Sequence, residues 1–190
     1  MSGYESVKLK ITGASPLLMH NGQLADPLNK WAKLMKEVSA KRKKVDADLE
    51  EIARLEFFGG LYLKGGEPCI PGELWEAVIV AGAKKNKMGT QAKAAVLVAD
   101  DPTLVYDGPK SPQGLWDDER FRLRVGVRVG MSKVMRTRPM FREWGCDLTV
   151  SYLSDMLNER DIIDFLRIAG IQCGICDWRP RFGRYTVETV

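Results

Sequence analysis

Alternation marks the first element of the chain. From Ser6 to Thr12 the apolar residues Val7, Leu9 and Ile11 fall at every second position, the period of a half-buried strand. Ala14–Ala25 follows as an apolar turn and loop containing Leu17, Leu18 and Met19. The period then changes. Trp31, Leu34, Met35 and Val38 make one helical stripe, and Val45, Leu49, Ile52 and Leu55 make a second. Between them Ser39–Lys44 is polar and basic, so the pattern fits one long helix or two helices with a mobile break. Asp26 is placed to cap this insert with Pro27 at the first helical position, and Gly59-Gly60 to end it.

Cys69-Ile70-Pro71-Gly72 leads into a helix starting near Glu73, with Leu74, Ala77, Val78 and Ala81 predicted on its inner face. Asp100–Trp116 holds a short strand, Leu104–Tyr106, and a Pro/Gly-rich loop. Alternation returns in Phe121–Val129, where Phe121, Leu123, Val125, Val127 and Val129 oppose Arg122, Arg124, Gly126 and Arg128. One face of that strand is expected to pack and the other to be largely arginine. Lys133–Phe141 continues as the second arm of an extended hairpin, and Cys146–Tyr152 is a further strand. Asn158 caps a short helix with Asp161 at its third position; Ile162, Ile163, Phe165 and Leu166 form its buried face and Gly170 closes it. The tail Ile171–Val190 has Arg-rich turns and then a strand alternating Tyr185 and Val187. With the helical insertion 27–58 set aside, the order approaches β-α-β-β-α-β, the ferredoxin-like α+β arrangement. Two helices would cover one face of the sheet and leave its other face or edges for a ligand. A length of 190 residues suits a single domain, 1–190.

Composition excludes more than it identifies. The chain is 45% hydrophobic and 28% charged, which argues against disorder. No apolar run is long enough to cross a bilayer, and Met1–Lys10 has no signal-peptide h-region, so a cytoplasmic location away from membranes is expected. The net charge of +4 is modest, but its distribution is uneven. Arg120–Arg142 carries eight basic residues and no acidic one, and Ala77–Ala99 carries Lys84, Lys85, Lys87 and Lys93 without an acid. A basic run is commonly a solvated face; two segregated runs suit a polyanion, whose binding draws on counterion release.

Chemistry-bearing motifs are sparse. No glycine-rich nucleotide fingerprint, paired carboxylates or metal-binding histidines occur at helix spacing. Cys173-Gly-Ile-Cys176 has metal-ligand spacing but no second pair to complete a zinc site, and it sits in a Gly-rich stretch unlike a redox pair at a helix start. No metal or cofactor is therefore expected. Asp100-Asp101 reads as a turn before Pro102, Asp26 as a cap, and His20 as a loop residue or a donor to phosphate. In Asp177–Tyr185, Trp178, Phe182 and Tyr185 interleave with Arg179, Arg181 and Arg184 around Gly183. Such a segment supplies phosphate contacts and stacking rings, or else is a hairpin with core aromatics and a solvated edge.

Three stretches together resemble a known family. They are Leu9-Lys10-Ile11-Thr12-Gly13-Ala14-Ser15-Pro16-Leu17, the turn Ile70-Pro71-Gly72-Glu73-Leu74-Trp75, and the terminal Gly170…Gly174…Arg181-Phe182-Gly183-Arg184-Tyr185. They are similar to the RAMP superfamily, specifically the Cas7-like backbone proteins of CRISPR effector complexes. That resemblance implies a modified RNA-recognition-motif fold with a terminal glycine-rich loop. It also implies non-catalytic binding of single-stranded guide RNA, by a homo-oligomer that polymerises along it with other effector-complex subunits in antiviral defence. The alternative is a phage or mobile-element relative that binds single-stranded DNA or serves a structural assembly. In some relatives a loop aspartate after the first strand cuts RNA. Asp26 lies in the corresponding region, but no motif aligns it, and no catalytic residue is assigned. The candidate nucleic-acid-binding residues are His20, Lys41, Arg42, Lys84, Lys85, Lys87, Arg122, Arg124, Arg128, Lys133, Arg136, Arg138, Trp178, Arg179, Arg181 and Arg184.

Overall fold

The computed structural model describes residues 3–190, apart from the side chain of Val129, which lies outside the described part together with Met1 and Ser2. In chain order the elements are β1 (Tyr4–Gly13), β2 (Leu17–Leu18), α1 (Lys30–Ser39), α2 (Asp46–Gly60), β3 (Leu63–Lys64) and β4 (Glu67–Pro68). Next come α3 (Gly72–Lys85), α4 (Gly89–Ala95), β5 (Val96–Leu97) and α5 (Pro112–Asp117). The chain ends with β6 (Arg122–Val129), β7 (Ser132–Phe141), β8 (Gly145–Leu153), α6 (Glu159–Gln172) and β9 (Tyr185–Thr189).

These form a mixed α+β domain. Its main sheet has the strand order β5-β8-β1-β9, with every neighbouring pair antiparallel. A second sheet, β2-β7-β6, contains the long hairpin, and β3-β4 is a small two-stranded sheet. The main sheet and its two principal helices follow one another as β1, α3, β5, β8, α6, β9, that is strand-helix-strand-strand-helix-strand. No described helix is long and apolar enough to cross a membrane.

Pleating explains the core. Val7, Leu9 and Ile11 of β1 point inward with Leu148 and Val150 of β8 and Val187 of β9, all buried. Lys8, Lys10 and Thr12 point outward, opposite Thr149, Asp147, Glu188 and Thr186. The open face of the sheet is thus polar and of mixed charge. Helices α3 and α6 pack together over the inner face. Gly82 allows their close approach: a Cβ there would run into the Phe165 carbonyl of α6. Trp75 meets the Tyr185 ring edge-on at 5.4 Å.

Several local expectations change in the fold. The inner face of α3 is Trp75, Val78, Ile79, Gly82 and Ala83, whereas Ala77 is exposed and Leu74 and Ala81 are half-buried. The large ring of Trp75 takes the side facing Tyr185 and rotates the apolar arc. Asp26 does not cap the insert; its carboxylate accepts the Leu28 N–H at 2.8 Å in a turn, and Asn29 caps α1 by accepting the Trp31 N–H at 2.9 Å. Gly170 does not close α6, which runs to Gln172 and stops where Gly174 takes φ +68°. Residues 104–106 form no strand; Val105 alone makes an isolated bridge, with Gly145. Only the end of the stretch expected as a Pro/Gly loop becomes helical: α5 starts at Pro112, which occupies its first turn, with Ser111 as its cap.

The insertion is two helices, broken between Ser39 and Asp46. Trp31 stacks on Phe58 at 5.7 Å, yet α1 has no fully buried residue. Leu34, Val45 and Leu49 of the two stripes remain exposed.

Candidate nucleic-acid interface

The hairpin register divides the basic run between two faces. Opposed residues in an antiparallel pair project to the same side. Arg124 pairs with Thr137 and Arg128 with Lys133, so Arg122, Arg124, Arg128 and Lys133 share one face. Arg136 and Arg138 lie opposite Val125 and Leu123, on the apolar face. That apolar face is only half-buried at Leu123, Val125 and Val127, so the outer hairpin is not packed as its alternation implies.

The sequence run is free of acids, but its surroundings are not. Glu56 of α2 is buried, with 4% of its side chain exposed, and receives Arg138 at 2.9 Å and Arg136 at 3.4 Å. Its second oxygen accepts the Thr137 N–H at 2.8 Å. This N–H belongs to β7 beyond the short pairing with β2, where the carboxylate takes the place of a neighbouring strand. Arg138 also donates to Asp177 at 3.0 Å. Its side chain is 12% exposed, and the guanidinium ties α2 to the terminal loop and is not free to meet a phosphate. Arg122 pairs with Glu119 and lies 4.5 Å above the Trp116 ring. Together with Arg124 it lines a groove of about 540 Å³ that Asp46, Leu49, Glu50 and Ala53 enter from α2. Arg128 and Lys133 are exposed near the hairpin tip, beyond that groove.

The other lysines stand apart. Lys84, Lys85 and Lys87 are exposed at or just past the C-terminal end of α3, roughly 15 Å along the helix from Leu74 at 1.5 Å per residue. Lys84 and Lys87 share a shallow depression with Lys93. Their position also complements the helix dipole. In the insertion Lys41 is paired with Asp48, and Arg42 is exposed.

The terminal loop is held firmly by main-chain bonds. Ile175 N–H donates to the Gly183 carbonyl at 2.9 Å, Gly183 N–H to Pro16 at 2.8 Å, and Asp177 N–H to Leu18 at 2.9 Å. Gly183 has φ +72°, and a Cβ on it would strike the Ile175 backbone, so only glycine fits there. On this frame Trp178 is 44% exposed and stacks on Phe182 at 5.8 Å. Arg179, Arg181 and Arg184 are exposed, and none forms an ion pair among the described residues. Tyr185 is a core ring, unlike its two aromatic neighbours.

His20 faces this loop. With Tyr62, Ala77, Cys176, Asp177 and Arg179 it lines a cavity of about 110 Å³. Burial, and then the charge of Arg138, lowers the His20 pKa below 6.5, with Asp177 and Glu56 acting in the opposite direction. Its Nδ1 is buried and has no hydrogen-bond partner. The Tyr62 hydroxyl donates to the His20 carbonyl at 3.0 Å, and burial pushes the Tyr62 pKa up to about 12. Burial also raises the Cys176 thiol. Among the described residues no three His, Cys, Asp or Glu side chains gather as metal ligands.

The structure therefore brings His20 and Arg179 to one cavity, Arg181 and Arg184 to the same loop, and four hairpin cations to one face. It does not bring Arg138 to an open surface. Glu56, Tyr62 and Asp177 were missed as parts of the site. The one available signal was a glutamate, Glu56, embedded in the apolar end of α2 beside Leu55, Phe57 and Phe58. No protein-family model matches the chain, and no curated protein matches it in sequence.

Proposed function

We propose that this chain binds single-stranded RNA through its sugar–phosphate backbone without cutting it. The observation that carries this reading is the terminal loop, where Arg179, Arg181 and Arg184 stand exposed without acidic partners around the Trp178–Phe182 stack. Unpaired guanidiniums are available to phosphates, and an exposed indole offers a base a stacking surface. The strand-helix-strand-strand-helix-strand order supports the ferredoxin-like, RNA-recognition-motif-type reading implied by the Cas7-like resemblance. The open sheet face presents Lys8, Lys10 and Asp147 and lacks the paired aromatics that such sheets use to stack bases. The loop and the hairpin are therefore the proposed contacts. Asp26, spent on a turn, is given no catalytic role.

One copy offers few cations, so tight binding calls for repetition along the strand, where each added contact is effectively intramolecular. A cytoplasmic homo-oligomer, assembling head to tail with or without other effector-complex subunits, completes this reading.

The test is an RNA titration at several salt concentrations, comparing the natural chain with an Arg179→Ala, Arg181→Ala, Arg184→Ala variant. Each phosphate contact on a single strand contributes a slope of about 0.7, so the triple change should reduce the slope by about 2. An unchanged slope and affinity would remove the loop from the interface.

A further inference from the structure

The long hairpin has an open edge. Strand β6 runs for eight residues and pairs with β7 alone. Its first N–H, from Arg122, turns back to the Glu119 carbonyl; beyond it, no main-chain group of the described residues bonds to the far side of β6. The register tells which groups that edge presents. Thr137 of β7 gives its N–H to Glu56, on the side away from β6. A residue turned away from its partner strand belongs to a non-hydrogen-bonded pair, so the residue opposite is turned away as well. Thr137 lies opposite Arg124. The Arg124 N–H and carbonyl therefore point outward, and with a period of two so do those of Gly126 and Arg128. Leu123, Val125 and Val127 direct theirs to β7.

The outward backbone groups thus belong to the residues of the cationic face. Arg124, Arg128 and Lys133 are exposed and form no ion pair among the described residues. Lys133 also lies over Gly126, where a Cβ would strike its Cε, so positive charge continues across the glycine. The opposite face is aliphatic. Leu123, Val125 and Val127 are half-buried there, and Val134, paired with Val127, is 36% exposed.

An open edge is a template for another strand, and its side chains decide which strand is accepted. A second copy of β6 fits poorly: antiparallel pairing about Gly126 would set Arg124 against Arg128 on both sides of the axis, and like charges directly opposite are destabilising. A strand that alternates carboxylates with aliphatic residues suits both faces at once. Its acids would lie opposite Arg124 and Arg128, and its aliphatic side chains would extend the surface of Val125, Val127 and Val134.

We propose that β6 is a docking edge for an extended acidic–aliphatic segment of a partner protein, added to the hairpin as a further antiparallel strand. Main-chain bonds from Arg124, Gly126 and Arg128 supply affinity, and the alternation of charge and aliphatic surface supplies specificity. The inference is independent of the RNA reading, which is carried by the terminal loop.

The probe is a labelled eight-residue peptide alternating glutamate and valine, blocked at both ends and titrated against the full chain by anisotropy. With its glutamates opposite the arginines, the glutamate amides enter the ladder and the valine amides face solvent. N-methylation of the glutamate amides should therefore weaken binding about tenfold or more, and N-methylation of the valine amides by less than about threefold. Glutamine in place of glutamate should weaken it about tenfold. A chain carrying Arg124→Glu and Arg128→Glu should prefer a lysine–valine peptide instead. Amide exchange in the natural chain needs no substitution: the peptide should slow Arg124, Gly126 and Arg128 and leave Val125 and Val127 unchanged. Equal effects of the two methylations would reduce the contact to charge attraction and overturn the inference. So would absence of binding at millimolar peptide, or binding that leaves those three amides unprotected. Failure of the chain to bind RNA would leave this edge standing, and loss of the edge would leave the loop standing.

Discussion

Glu56→Ala tests the join between the insertion, the hairpin and the terminal loop. The truncation removes three interactions: Arg138 at 2.9 Å, Arg136 at 3.4 Å and the Thr137 N–H at 2.8 Å. Arg138 keeps Asp177, so its charge is not wholly orphaned, whereas Arg136 has no other ion pair among the described residues and the Thr137 N–H loses its acceptor. Breaking a buried pair by removing one partner costs about 3–5 kcal/mol, and an unpaired buried N–H about 1–3 kcal/mol. Because Asp177 remains, a loss of about 3–4 kcal/mol is expected, which for a chain of this size lowers Tm by about 10 °C. Glu56→Gln retains an oxygen for Thr137 and should lose about half as much. Urea unfolding of both variants, and of each with Arg138→Met, completes a double-mutant cycle with an expected coupling of about 1–3 kcal/mol. A Glu56→Ala loss below about 1 kcal/mol, or no coupling, would refute the view that this carboxylate joins the three segments.

Two further outcomes follow from the site and its surroundings. His20 is lowered below 6.5 in the fold, so the unfolded chain binds the extra proton first; stability should fall as pH drops through 6.5 and level off below the native value. Urea midpoints between about pH 7.5 and 5 should show this slope, and His20→Gln should flatten it; an unchanged slope would mean other groups cause it. The depressed carboxylates Asp48, Glu51, Asp100 and Asp118 titrate lower and do not confuse that window. Light scattering should show concentration-dependent growth that lengthens on long RNA, and Leu34→Ser with Leu49→Ser should reduce it by removing exposed apolar surface from the insertion. A monomer under both conditions would exclude assembly.

Elements whose causes are local could be read from the sequence. β1 and β8 alternate with period two because one face meets helices and the other meets water, and the structure keeps both registers. Asn158 with Asp161 caps α6 through neighbouring backbone groups, needing nothing distant. The break in the insertion was only half legible: Ser39–Lys44 offers nothing larger than Ala40 to pack, which left one long helix or two equally open. Choices between equally local alternatives were not legible. Asp26 and Asn29 are both good caps; Asn29 is held by donating to Gln23, which in turn donates to the Gly59 carbonyl at the end of α2. The inner face of α3 turns on where Tyr185, 110 residues later, places its ring against Trp75. The site depended most on tertiary structure. An arginine in an acid-free run looks available until the fold brings Glu56, 82 residues away, against Arg138. Charge in a sequence is a property of neighbours along the chain, whereas binding depends on neighbours in space. Here folding neutralised the base of the hairpin and left Arg179, Arg181 and Arg184 exposed.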